Sequence, residues 1–270
     1  SQFYYSAAEV AARYGQDLEM VALLLHAALD ASDSNHDAFK QLAYVLKKSK
    51  NYQDFADLVV GRLEKLTDEE ERIYYIQDVA AVLMEHLDNP TQAEGLLKVG
   101  LELNSEEERT KSLLVQCYNA QEKMEDLIAF YENEIKTSRH PDPGVFMQLG
   151  MLWWKKVGDL EAAEPYFQKM RKAEPASPLL LRFYGEYYKA TGDYLRHVTM
   201  LQQAMRAVKN DPERTIEIAR LITEISIDEN PEKAVEVWKR ILKKDRDNQE
   251  AIDALKTLYE VTQNWHKLLD

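Results

Sequence analysis

The 270-residue sequence contains one cysteine, Cys117, so no internal disulfide framework staples the chain. Glycine and proline are scarce, at 9 and 8. Neither β-branched runs nor Asn-Gly hairpin signals occur, which excludes a strand-rich chain and leaves an all-helical one. The longest apolar run, Val21 to Leu25 with Ala27 to Leu29 beyond His26, falls far short of the ~20 residues that span a bilayer. No basic segment followed by an apolar one opens the chain, and the absent initiator Met is read as processing or excision from something longer. Basic charge is also short: 34 Lys and Arg stand against 47 Asp and Glu, a net charge of −13. Phosphate recognition needs cations to displace counterions, so this balance argues against nucleic acid and against anionic lipid.

What is present is a folded composition, 45% hydrophobic and 30% charged, and a period. From Pro143 the chain gives Phe146, Leu149-Gly150 and Trp153, then a turn at Gly158-Asp159, then Ala163 and Phe167, and Pro175 closes the unit. After Pro178 come Leu181, Tyr184-Gly185 and Tyr188, a turn at Gly192-Asp193, then Leu201 and Ala204. Weaker copies use Ala80, Ala93 and Gly100, or Ile218-Ala219, Ala234 and Trp238. Turn signals near Gln16, Asn51, Asn89, Lys123, Gly158, Gly192, Asn230 and Asn264 keep a spacing of about 34 to 38 residues.

In each unit a small residue on one helix lets its partner approach closely, while large apolar residues fill a stripe around that contact. Gly158 supplies a helix stop, and Asp159 caps the next helix.

This arrangement resembles the tetratricopeptide repeat (TPR) family pattern W-x2-L-G-x2-Y, A-x3-F, P, with Phe for Trp and Trp for Tyr in the unit from Pro143. The resemblance implies an all-α, right-handed superhelical solenoid of antiparallel helix pairs. The expected units are 1–35, 36–72, 73–107, 108–142, 143–177, 178–211, 212–248 and an incomplete 249–270. Trp265, Leu268 and Leu269 read as core residues awaiting a neighbour, so a longer array or self-association through this end is expected. The Asn-Pro turns and the tail resemble bacterial proteins with many degenerate TPR units.

Catalytic constellations are not found. None of His26, His36, His86, His140, His197 and His266 stands three or four residues from another, so no helical zinc pair forms. Phosphate loops, nucleophile elbows and Cys-x-x-Cys pairs are missing as well. Cys117, beside Tyr118, reads as a buried structural thiol. The acidic runs Asp68 to Glu71 and Glu106 to Glu108 precede or open helices, where the dipole favours them, or else receive a basic partner. No catalytic residue, metal or cofactor is therefore expected.

In TPR arrays the first helices of successive pairs line a concave groove. Carried onto this chain, the groove residues are Tyr44, Met147, Met151, Trp154, Arg182 and Lys189, with Tyr74 and Gln77 among their neighbours. With Trp153 in the core slot, Trp154 turns about 100° away, towards a patch with Met147 and Met151 suited to a peptide or helix. Alternatively Trp154 packs between units. Lys40, Lys47 and Lys48 form a basic cluster that receives an acidic peptide or simply complements a helix C-terminus. The Lys/Asn clamp with which some TPR domains hold acidic chaperone tails does not recur at the matching positions, Tyr5, Glu9, Lys40, Tyr44, Gln77, Ala81, Ser112 and Gln116.

The function expected is a non-catalytic scaffold or adaptor that holds a protein or peptide in the groove. The alternative is a regulatory or substrate-recruiting arm of a larger enzyme. RNA binding, as in the similar pentatricopeptide arrays, fits the acidic charge badly. The compartment stays open, with the cytoplasm favoured.

Overall fold

The computed structural model describes residues 1–13 and 17–264. Among these residues there are fifteen α-helices and no strand. They are α1 (Gln2–Arg13), α2 (Leu18–Ala31), α3 (His36–Lys48), α4 (Tyr52–Val60), α5 (Glu69–Glu85), α6 (Pro90–Leu103), α7 (Glu108–Ala120), α8 (Met124–Thr137), α9 (Pro143–Met151), α10 (Leu160–Ala173), α11 (Pro178–Thr191), α12 (Tyr194–Ala207), α13 (Pro212–Ser226), α14 (Pro231–Lys244) and α15 (Gln249–Val261). A 3₁₀ turn, Leu63–Lys65, follows α4, and a π-helical turn, Leu152–Val157, continues α9. The all-α, TPR-like repeat fold expected from the sequence is the observed one.

Local sequence explains most helix starts. The side chains of Asn35, Asp68, Asn89, Asp142, Asp159, Asp193, Asp211 and Asn248 each accept a bond from a backbone N–H of the turn they open. Proline at the first helical position of α6, α9, α11, α13 and α14 costs nothing there, because that N–H has no helical partner. The acidic run at Asp68 is used in this way: Asp68 caps α5, and Glu69, Glu70 and Glu71 occupy its first turn.

Five of the turns within pairs share one device. A residue with left-handed φ precedes the second helix at Lys50, Asp88, Glu122, Gly158 and Gly192, and Gln263 has the same φ after α15. Gly158 (φ +83°) and Gly192 (φ +71°) adopt this conformation without steric cost.

The chain divides into two compact units, Ser1–Leu127 and Ile128–Asp270. In the first, consecutive helices from α1 to α7 pack on one another, and α5 also packs on α7. Gln77, expected in the groove, is buried there instead, and its Nε2 donates to Thr110 Oγ1 (2.9 Å) and Glu107 Oε1 (3.1 Å). Glu94 is buried as well, held by Lys98 and Lys123 at 2.7 Å each and by Gln121 Nε2 at 2.8 Å. In the second unit consecutive helices from α9 to α15 pack around one apolar core. Its floor includes Phe167, Phe183, Tyr184, Leu201, Ala219, Trp238 and Tyr259.

Gly150 shows why the small slot matters. A Cβ at this position would lie 2.8 Å from the Phe167 ring, so only glycine allows α10 to seat that ring.

Candidate functional site

The first-helix face of the first unit carries the most exposed large aromatics near a cleft. On α3, Phe39, Leu42, Ala43 and Leu46 turn inward, which leaves Lys40, Tyr44, Lys47 and Lys48 outward. On α5, Tyr75, Ile76 and Val79 are buried, and Tyr74 stands out. Tyr44 and Tyr74 are 65% and 54% exposed and flank a cleft of about 330 Å³ whose walls include Phe55, Tyr75 and Asp78. Burial of Tyr75 pushes its hydroxyl up to about 12, so this residue serves as a neutral wall.

The lysines lie over carboxylates of α5. Lys40 Nζ is 2.9 Å from Glu71, Lys47 pairs with Asp78, and Lys48 Nζ lies 5.6 Å from the centre of the Tyr44 ring. Both carboxylates are more buried than the ammonium groups above them, so the outer layer of this face is cationic. Beside it, His36 also reaches Glu71, and Arg62 and Lys65 converge on Asp33. These groups line a second cleft of about 630 Å³, in which each charge already has a partner.

In the second unit the expected patch is rearranged. Trp154 is 4% exposed and belongs to the core, where it meets the edges of Phe167 and Phe183. Its Nε1 donates to Glu186 at 2.6 Å, and Lys155 Nζ lies 3.3 Å from the same carboxylate. These bonds hold Glu186 below the usual carboxylate range. The expectation that Trp154 faces a groove is therefore corrected.

The cause is the π turn. Its hydrogen bonds skip five residues instead of four, so the side chain above Leu149 on the core stripe is Trp154 and not Trp153. Trp153 is half-buried at the edge of the core. Its Nε1 lies near the Tyr166 hydroxyl without making a full hydrogen bond, and that hydroxyl donates to Glu132.

Of the remaining expected groove residues, Met147 is exposed and Met151 packs against the core. Arg182 and Lys189 are exposed on α11. Lys189 lines a different cleft, of about 520 Å³, with Tyr188, His197, Leu221, Glu224 and Glu229. His197 stacks on Tyr188 and is nearly buried, and that burial brings its pKa down to about 4. No spacing in the sequence marked this histidine. Trp265, Leu268 and Leu269, and the self-association read from them, lie outside the described residues.

Cys117 is fully buried, and burial pushes its thiol up to about 11, so it is a neutral thiol at physiological pH. Among the described residues no group of three His, Cys, Asp or Glu is placed to hold a metal ion, and no helix is long and apolar enough to cross a membrane.

Solved structures place this architecture among known folds. A chain in a structure of Naa15/Naa10 bound to HypK-THB matches with a TM-score of 0.54 at 13% identity, over 95% of this chain and 39% of that one. This chain thus spans about two fifths of the length of that relative. A tetratricopeptide repeat protein from Parabacteroides merdae matches at 15% identity over 95% and 98% of the two chains, with a TM-score of 0.42. The C-terminal part of a TPR repeat-containing protein from Cytophaga hutchinsonii matches at 15% over 93% and 99%, with a TM-score of 0.48. No family model and no curated protein matches the sequence. At these identities the first match is a likeness of fold alone, and the chain's own succession of helix pairs defines the fold class, a TPR-like helical repeat.

Proposed function

We propose that the chain is a non-catalytic protein–protein interaction scaffold that holds a peptide or helical segment of a partner against its first-helix faces. One observation carries the reading: Tyr44 and Tyr74 are left largely exposed beside a cleft on the first-helix face, the face that lines the groove in TPR arrays. Large rigid aromatics give contact area at low entropic cost, and such side chains dominate binding energy where they are buried by a partner. Lys40, Lys47 and Lys48 form the cationic rim of this site, which suits an acidic stretch in the bound segment. Met147, Met151, Arg182 and Lys189 are contacts proposed for the second unit. A protein of related fold is found in the Naa15/Naa10 structure bound to HypK-THB, which accords with a scaffold role.

The test compares wild type with a Tyr44→Ala, Tyr74→Ala double variant as bait in cross-linked pull-downs. Both tyrosines are exposed, so stability should change by no more than ~0.5 kcal/mol per site. The folded variant is expected to lose proteins that wild type recovers. Equal recovery by both baits would place binding elsewhere and sink this reading.

A further inference from the structure

The second unit carries another feature, on the side formed by second helices. The C-terminal ends of α12 and α14, with Thr215 in the first turn of α13, enclose a small cleft of about 110 Å³. Its floor is apolar, made by Met205 and Ile241, both buried. Four cations surround it: Arg206 and Lys209 from the α12 end, and Arg240 and Lys244 from α14. None of the four makes an ion pair with a carboxylate among the described residues, and Lys244 Nζ reaches only the Lys209 carbonyl, at 3.3 Å.

Dipole complementation accounts for part of this cluster. Arg206 and Lys244 lie in last turns, where the C-terminal dipole favours a cation. It does not account for Arg240, a turn further in, or for Lys209, beyond the helix, converging on the same apolar floor. Placing four like charges side by side costs free energy, and a bound anion recovers it. The cleft is well below the ~300 Å³ at which small-molecule sites begin, and it has room for about one aliphatic side chain.

We infer that this cleft is a second docking site, for an acidic peptide segment that inserts one large aliphatic side chain between Met205 and Ile241 and sets its flanking Asp or Glu against Arg206, Lys209, Arg240 and Lys244. Charge complementarity selects the occupant, and the apolar floor distinguishes it from a simple polyanion. The site is separate from the Tyr44 face and stands or falls independently of it.

The test uses the full chain and fluorescence anisotropy. The probe is a labelled twelve-residue peptide with a central Leu and five Asp or Glu on either side, apart from a terminal spacer. One control replaces Leu by Ser, one replaces every acid by Lys, and one is a single-stranded RNA of equal charge. Wild type is expected to bind the acidic Leu peptide, more weakly as salt rises, and to bind both peptide controls and the RNA at least about tenfold more weakly. Arg240→Glu with Lys244→Glu, both exposed and checked for unchanged helicity, should lower affinity at least about tenfold through reversed charge pairing. Tyr44→Ala should leave it unchanged.

Absence of binding, or equal binding by the double variant, overturns the site. Equal binding of the Ser peptide or the RNA reduces it to an electrostatic patch and overturns the peptide assignment. Sedimentation of the protein alone addresses the other occupant: self-association abolished by the double variant would mean that a second copy of this chain fills the cleft, and would overturn the assignment to a partner.

Discussion

At the scale of single residues, the tryptophan pair shows how one backbone irregularity reassigns two side chains. Trp154 packs edge-on against both Phe167 and Phe183, and truncation leaves a cavity beside them. Trp154→Ala is expected to cost about 3–5 kcal/mol in denaturant titration, and Trp153→Ala clearly less. The reverse order would mean that an ordinary α-turn, with Trp153 in the core, prevails in solution. His197 gives a second residue-level expectation. Burial favours its neutral form and brings its pKa to about 4, whereas the unfolded chain takes up the proton near 6.5. The unfolded state thus binds more protons between those values, and stability falls as pH drops from about 6.5 towards 4. The loss attributable to this group is at most about 3 kcal/mol. Glu224, Glu229 and Lys189 line the same cleft and face the imidazole. His197→Leu should flatten the stability profile between pH 7 and 5. A profile as steep as that of wild type would show that other groups govern it.

At the scale of helices and their joints, Glu94 ties α6 to the turn after α7. Burial raises its pKa, but the bonds from Lys123, Lys98 and Gln121 outweigh burial and hold it at about 2. A depressed carboxyl contributes stability above its unfolded value, near 4.5, and loses that contribution as pH falls towards 2. Glu94→Gln is expected to destabilise by about 1–3 kcal/mol at pH 7 and to soften the acid limb below pH 4.5. A variant equal to wild type at pH 7 would mean that the two lysines find other partners at no cost. The helix starts and turns were the most legible elements, because their chemistry is local. Asp or Asn followed by Pro, or by a first-turn acid, marks most of the caps. The left-handed position in these turns was legible only at Gly158 and Gly192. Lys50, Asp88, Glu122 and Gln263 adopt the same φ without a glycine to mark it.

At the scale of the molecule, the net charge is unevenly shared. Residues 1–127 contain 24 Asp and Glu against 12 Lys and Arg, and residues 128–270 contain 23 against 22. Each compact unit is a run of packed helices, and repeat arrays of this kind unfold in segments when neighbouring cores differ in stability. Calorimetry is expected to show more than one transition. Trp154→Ala should lower one of them by about 10 °C and leave the other in place. Added salt should raise the transition of the acidic unit more, because it screens self-repulsion. A single transition that moves as a whole in both experiments would show that the units unfold together.

The sequence by itself determined the repeat, its period and the small slot at Gly150, since all of these are set by residues close in the chain. Only the tertiary structure decided which of two adjacent tryptophans is core, that Gln77 is a buried tie and not a groove residue, and that the lysines of α3 overlie carboxylates of α5. It alone brought Arg206, Lys209, Arg240 and Lys244 to one cleft. A single π turn shifts the register of the rest of its own helix, and pairing across about thirty residues depends on which helix faces pack, which no local pattern specifies.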